Sequence, residues 1–155
     1  MRKAVMLSIR PQLCELISAG IKTVEVRKTR PNLETPFKCY IYETKGLTDT
    51  PWMDEDGHIC FQGRGKVIGE FVCTEIARYA REEIEEYGKG VPHYGWLIRN
   101  LRVYDEPKPL SAFKRWNRTE ENVPCAHVRQ LYEPCETCNS CNLTRPPKNW
   151  CYVED

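Results

Sequence analysis

The sequence predicts an α+β fold built around a small, curled β-sheet or β-barrel with short flanking helices. Several short segments either alternate apolar and polar residues or are continuously apolar, which is typical of strands. Helical patterns are confined to two short stretches, so predicted strands outnumber predicted helices. No regular alternation of strand and helix is present, and a doubly wound parallel sheet is therefore not expected.

The first strand and the first helix are clearly marked. Residues 4–9, AVMLSI, form a short apolar run that is typical of a buried strand. A helix is predicted over residues 11–19, because Pro11 suits the first helical position and leucine and isoleucine side chains then recur on one face. Gly20 follows at the point where a helix commonly ends.

Two alternating segments and a long polar stretch come next. TVEVR at 23–27 and FKCYIYE at 37–43 each predict a half-buried strand, with a proline-marked turn between them. Residues 44–64 are polar and contain glycine, proline and three consecutive acidic residues. We predict a long surface loop over this stretch.

The middle of the chain contains the longest apolar run. Residues 65–76, GKVIGEFVCTEI, predict a central strand, and residues 81–87 predict a short acidic helix. Residues 94–107 predict one or two further strands that end at a pair of prolines.

The composition changes after Lys114, where five of the nine cysteines occur and little apolar periodicity remains. We therefore predict a folded domain over residues 1–114 and a cysteine-rich extension over residues 115–155. Trp150 and Tyr152 are expected to dock the end of this extension back onto the barrel.

The net charge is only +1, so any electrostatic attraction has to be local. Residues 1–30 contain seven basic residues and two glutamates, whereas acidic residues cluster later in the chain. A basic amino-terminal region of this kind can attract an anion to one face of the protein.

No apolar run approaches the roughly 20 residues that a membrane span needs, and no cleavable signal peptide is recognised. We therefore expect a cytoplasmic protein without a membrane partner. The odd number of cysteines argues against a framework of disulfides in that compartment.

The segment GIKTVEVR at 20–27 carries more charge than a strand built only for packing. Strand alternation directs the two valines inward and places Glu25 and Arg27 together on the opposite face. Lys22 can join that pair only if the chain bends after the glycine. The alternative is a solvated sheet face whose charges contribute little to stability.

The same segment resembles the G-x-K-x-x-E-x-R signature of the ASCH domain, a branch of the PUA-like superfamily. The matching residues are Gly20, Lys22, Glu25 and Arg27. Flanking segments over residues 4–113 resemble the family in the expected order, and the terminal LTRPPKNWCYVE resembles the tail of small prophage-type members. The resemblance implies a PUA-like small β-barrel with a cleft beside the motif, and binding of RNA or a nucleotide-like small molecule.

Such a ligand would use cationic side chains for its phosphates and aromatic rings for its bases. Arg10 and Arg30 extend the set of candidate phosphate contacts beyond the motif. Packing in the core is the alternative role for the aromatic candidates, because aromatic residues on strands usually lie there. The predicted ligand-binding residues are Arg10, Lys22, Glu25, Arg27, Lys28, Tyr40 and Trp96.

Two alternative functions remain open. Some ASCH-like proteins are hydrolases that act on N4-acetylcytidine or on RNA; here Lys22 would polarise an oxygen or donate a proton, and Glu25 would activate water. Glu25 replaces the threonine nucleophile of the amide-hydrolysing type, and a further acid would come from Glu82, Glu83, Glu85 or Glu86. The second alternative is a protein-interaction or regulatory module of phage origin that uses the acidic helix at 81–87.

The cysteine-rich extension contains the spaced run CETCNSC. A Cys-x-x-Cys turn brings two thiolates within reach of one tetrahedral zinc ion, and two overlapping pairs supply three ligands. A structural zinc would stabilise a segment that has little apolar content. The alternative is a reduced, metal-free tail or a redox-sensitive thiol cluster. The predicted zinc ligands are Cys125, Cys135, Cys138 and Cys141, with His127 and Cys151 as substitutes.

Overall fold

The computed structural model describes residues 2–45, 52–53, 59–61, 64–79, 93–116 and 142–155. Within these ranges a short 3-10 turn (Leu110–Ala112) accompanies one helix and eight strands. They are, in chain order, β1 (Lys3–Ile9), α1 (Pro11–Ser18), β2 (Val24–Arg27), β3 (Phe37–Glu43), β4 (Trp52–Met53), β5 (Ile59–Phe61), β6 (Lys66–Tyr79), β7 (His93–Lys108) and β8 (Trp150–Glu154).

Six strands form one mixed sheet in the order β2-β7-β6-β3-β1-β8. Strands β1 and β3 are parallel, and the other neighbours in this sheet are antiparallel. The long ladder between β6 and β7 has three register shifts, and such irregularities bend a strand and increase its twist. Strands β4 and β5 form a separate pair.

The predicted α+β class is confirmed, but the predicted closed barrel is wrong. Strands β2 and β8 lie at the two edges of the sheet, and no backbone ladder joins them within the described residues. The outer edge of β8 is instead covered by residues 114–116, which pair with Val153 and its neighbours. The chain beyond β2 also contains Pro31, which has no N–H to donate to a ladder.

Hydrogen bonds that each involve at least one side chain, rather than a backbone ladder, connect these two edges. Arg27 donates to Asn149, Trp150 donates to the hydroxyl of Thr29, and the Asn32 N–H donates to the hydroxyl of Tyr152. We call this line of contacts between residues 27–32 and 149–152 the seam. The sheet is therefore curled, and the hydrogen bonds of the seam link its two edges, but it is not closed.

Apolar side chains pack on both faces of the sheet. One cluster includes Val5, Leu7 and Trp96 and covers the buried face of α1. The other cluster, around Met6 and Tyr104, lies on the opposite face. Strand β1 contributes to both clusters, as its continuously apolar sequence predicted.

The predicted elements in the described residues are largely confirmed. The helix ends one residue earlier than expected, the central strand extends to Tyr79, and the region around residues 94–107 is one continuous strand. Trp150 and Tyr152 pack against the first apolar cluster, as expected of docking residues. The short strands β4 and β5 were not predicted in the polar stretch at 44–64.

Two expectations are not decided by this fold. The predicted acidic helix at 81–87 lies outside the described residues. The domain division at residue 114 stays a prediction, although β8 pairs with β1 in the main sheet. Across the described residues there is no helical segment with the length and apolar character of a bilayer span.

The end of α1 fixes the direction in which the chain enters β2. Gly20 has a positive φ of 73°, and its N–H donates to the carbonyl of Ile17. The Ile21 and Lys22 N–H groups both donate to the carbonyl of Leu16. This hydrogen-bonded reversal after a left-handed glycine is the common way to end a helix. It supplies the bend that Lys22 needs to point toward the side chains of β2.

Replacing Gly20 by alanine tests the importance of that bend. A Cβ at this position would meet no heavy atom within 4 Å, so the cost comes from the positive φ alone. We expect Gly20→Ala to lower the free energy of unfolding by about 1 kcal/mol, measured by urea denaturation. Gly20→Asn should cost less, because asparagine tolerates this conformation better. Equal stability of the alanine variant and the wild type would contradict this account.

Candidate functional site

Three motif side chains meet around one carboxylate. The Lys22 ammonium lies 3.2 Å from Oε2 of Glu25, and Nη2 of Arg27 lies 2.8 Å from Oε1. Glu25 is only 4 % exposed. The ammonium, the carboxylate and the guanidinium therefore form one compact, mostly buried cluster.

The orientation of β2 differs from the expectation. Glu25 is its one buried residue, whereas the two flanking valines are only half-buried, so the prediction that the valines face inward is wrong. Glu25 lies directly opposite Trp96 in the ladder with β7 and shares its face of the sheet. The carboxylate can occupy this buried face because two cations compensate its charge.

Arg27 is the residue that ties the site to the seam. Its Nη1 donates to the backbone and side-chain oxygens of Asn149, at 3.2 and 2.5 Å. Its Nη2 donates to the carbonyl of Ser8 at 2.8 Å and also contacts Glu25. Both terminal nitrogens are thus engaged by protein acceptors. In this structure Arg27 positions its neighbours, and its predicted contact with phosphate stays a prediction.

Lys22 is fixed by protein contacts, yet its ammonium can still donate a hydrogen bond to a ligand. Its ammonium donates to the carbonyl of Val24 at 2.5 Å and contacts Glu25. The side chain is 17 % exposed. Because an ammonium has three hydrogens to donate, one remains available to an acceptor outside the protein.

The cluster also contains polar atoms without hydrogen-bond partners in the described structure. They are Oε2 of Glu25, which has only the ionic contact with Lys22, Nε of Arg27 and Nε1 of Trp96. A buried polar atom without a partner costs free energy, so such atoms are rare in purely structural clusters. Glu25 and Trp96, which carry two of these atoms, are direct partners in the β2–β7 ladder.

A second buried carboxylate, Glu43, lies at the end of β3. It is 6 % exposed, sits opposite Ile9 in the parallel ladder and accepts a hydrogen bond from the Arg64 N–H at 2.7 Å. The Thr44 N–H and the Cys14 thiol both donate to the Ile9 carbonyl. Sequence analysis did not single out Glu43; its one signal was an acidic residue ending an otherwise alternating strand.

Cys14 lies close to Glu43, but its thiol is unreactive at neutral pH. Burial raises the pKa of its thiol well above the usual range, and the negative charges of Glu43 and Glu25 raise it further. The thiol therefore stays protonated at neutral pH and is a poor nucleophile.

The remaining predicted ligand residues are dispersed. Arg10 precedes the helix, Lys28 follows β2, and both are exposed. Trp96 is fully buried between Phe37 and Trp150, with ring centroids 5.8 and 6.0 Å away.

Tyr40 lies in the other apolar cluster, is 7 % exposed and donates its hydroxyl to Asp155 at 2.8 Å. Like Trp96, it therefore takes the alternative packing role, because its ring is enclosed by the core and offers no free face to a base.

The predicted zinc site falls largely outside the described residues, as do the four glutamates at 82–86. Of its candidates only Cys151 is described; it is half-buried in β8, and burial raises the pKa of its thiol. Among the residues that the structure describes, no three histidine, cysteine or acidic side chains are grouped as a metal would require. Zinc binding stays a prediction.

Removing the charge of Glu25 should be costly, because it leaves two cations in a mostly buried environment without their counter-ion. We expect Glu25→Gln to lower the free energy of unfolding by about 3 kcal/mol. Asp155→Asn is the matched control, since it removes a carboxylate 2.7 Å from Lys38 at a more exposed position. The control should cost less than about 1 kcal/mol. Equal effects of the two substitutions in urea denaturation would contradict the structural role of Glu25.

Comparison with known proteins places this geometry in a family. The family model described as "ASCH domain" matches residues 7–135, which is more than half of the chain. No curated protein matches the chain.

Solved structures support the same fold. The crystal structure of ASCH from Zymomonas mobilis is similar with a TM-score of 0.55 at 14 % identity, covering 98 % of this chain and 88 % of that one. A point-mutant form of that protein gives 0.57 at 16 % identity, covering 99 % and 90 %. These identities support the fold alone. Together with the family match, they show that the chain belongs to the ASCH domain family.

Proposed function

We propose that this protein binds RNA or a nucleotide-like ligand through the basic surface beside the G-x-K-x-x-E-x-R motif. The observation that carries the proposal is the buried carboxylate of Glu25 in contact with both Lys22 and Arg27. Membership in the ASCH family supports the same ligand class.

Glu25 gives the site a preformed geometry. An unrestrained lysine loses rotamer freedom when it binds a phosphate, which weakens binding. Lys22 is already fixed by Glu25 and by the Val24 carbonyl, yet it retains a donor and partial exposure. Its ammonium can therefore contact a phosphate or a base oxygen at a small entropic cost.

Two exposed cations, one directly before α1 and one directly after β2, supply long-range attraction. Arg10 and Lys28 are exposed, and neither forms a salt bridge within the described ranges. Phosphate contacts of this kind provide most of the affinity of nucleic-acid binding and make it sensitive to salt. Arg27 acts in this proposal by orienting Glu25 and the seam.

Lys22→Gln tests the proposal directly. Loss of a hydrogen bond from a charged donor should weaken binding of uridine monophosphate, and of an RNA of about 12 nucleotides, by roughly tenfold or more. Affinities are measured by NMR titration for the nucleotide and by fluorescence anisotropy for the RNA. Lys22→Arg, which keeps the charge, should retain part of the affinity.

Lys38→Gln is the matched control, because Lys38 also pairs with a carboxylate but lies on β3 beside Asp155. It should leave both affinities unchanged. The proposal fails if the wild-type protein binds neither probe, or if the two glutamine variants lose affinity equally.

Hydrolysis of an acylated nucleoside or of RNA is the second candidate, favoured by the 3.2 Å contact between Lys22 and Glu25. With both oxygens of Glu25 contacted by cations, the geometry suits ordering of the site better than activation of water. Release of cytidine from N4-acetylcytidine, or RNA cleavage, each lost in Lys22→Gln, would establish the hydrolase instead. Binding without turnover is the result expected here.

A further inference from the structure

Two chain segments that meet at the seam carry exposed positive charge and no carboxylate. Residues 27–31 read RKTRP, and residues 144–149 read TRPPKN. The exposed cations on these segments are Lys28, Arg30, Arg145 and Lys148. Lys28 and Arg30 are already candidate phosphate contacts from the sequence, whereas the second segment lies more than 100 positions away in the sequence.

Specific contacts hold the two segments side by side. The Thr29 hydroxyl accepts hydrogen bonds from Nε1 of Trp150 at 3.0 Å and from Nδ2 of Asn149 at 3.5 Å. Arg27 donates to both oxygens of Asn149. Ser8 then anchors the second segment to β1, because its hydroxyl donates to the Pro147 carbonyl at 2.6 Å and its N–H donates to the Asn149 carbonyl at 3.1 Å.

The four cations lack internal compensation. None of them forms a salt bridge with a carboxylate in the part of the chain that the structure describes. Like charges held on adjacent, anchored segments repel one another, and a polyanion that lies along both segments relieves this repulsion. The two arginines add planar two-point contacts that fit phosphate oxygens.

We propose that the seam is a track for the sugar-phosphate backbone of single-stranded RNA, with Arg145 and Lys148 contacting phosphates next to those met by Lys28 and Arg30. The inference rests on the proposed function and extends it from a nucleotide-sized site at Lys22 to a chain of several nucleotides. A single strand fits because the cations lie on two neighbouring segments that can meet successive phosphates of one backbone.

The double variant Arg145→Ala/Lys148→Ala tests this track. Binding of an RNA of about 12 nucleotides is measured by fluorescence anisotropy between about 50 and 200 mM KCl. We expect the affinity to fall roughly 10- to 30-fold near 100 mM salt, and the slope of log affinity against log salt to fall by about 1.4, or 0.7 per lost phosphate contact. Binding of uridine monophosphate, which reaches only the motif site, should not change.

Arg102→Ala/Lys108→Ala is the matched control. It removes one arginine and one lysine, both exposed, from the far half of β7. The control should retain wild-type RNA affinity and salt slope. The seam variant should have the wild-type urea midpoint, because its substituted side chains are exposed. The control variant also loses the contact of Lys108 with the Tyr104 ring at 4.4 Å, so its affinity is compared in urea-free buffer, where it is folded.

Several results would overturn the track. Unchanged RNA affinity in the seam variant, or an equal loss in the control, shows that these cations have no specific role. An equal loss of mononucleotide binding shows that they belong to the motif site. Tighter binding of a duplex of the same sequence shows that the ligand is not a single strand. A wild-type protein that binds the mononucleotide but not the RNA refutes the track alone, whereas one that binds neither refutes the proposed function as well.

Discussion

The buried carboxylate of Glu25 is the constraint on which the arrangement of this protein depends. Moving a charged group out of water costs several kcal/mol unless partners compensate it. Here the compensation comes from Lys22, brought in by the turn after α1, and from Arg27, two residues along the same strand. Arg27 then extends the network to Ser8 and Asn149. One ionic cluster therefore connects the helix end, the edge strand β2, strand β1 and the segment that leads into β8.

This network explains why the sheet curls without closing. A closed barrel would pair β2 with β8 through backbone hydrogen bonds. Instead the guanidinium of Arg27 bridges the two edges, and residues 114–116 occupy the outer edge of β8. Every seam contact thus involves at least one side chain, and neighbouring side chains can present charge to a ligand in a way that a continuous backbone ladder cannot. Both proposed ligand contacts, at Lys22 and along the seam, follow from that difference.

The charged groups of the site fall into a buried set and an exposed set. Glu25, Arg27 and most of Lys22 are enclosed and set the geometry, whereas the exposed cations around them remain uncompensated within the described residues. Desolvation offsets much of the attraction in a buried ion pair, so its net contribution to stability is small although removal of one partner is costly. In contrast to the exposed cations, Trp96 and Tyr40 are buried in the two apolar clusters. There they stabilise the sheet that supports the charged groups.

Local sequence patterns were sufficient for β1, α1 and β3, and for the resemblance to the ASCH family, because each depends on neighbours within a few residues. The same patterns failed for the inward direction of Glu25 and missed Glu43. They predicted that Trp150 and Tyr152 dock onto the sheet, but not which segment these residues meet at the seam. Arg27 and Asn149 are 122 positions apart, and Tyr40 and Asp155 are 115 apart. Which distant residues meet depends on the order of the strands in the sheet. The face that a charged side chain takes on an edge strand depends on the partner that compensates its charge. The local periodicity of the sequence contains neither the long-range contacts nor the face taken by Glu25, because both are determined by the tertiary structure.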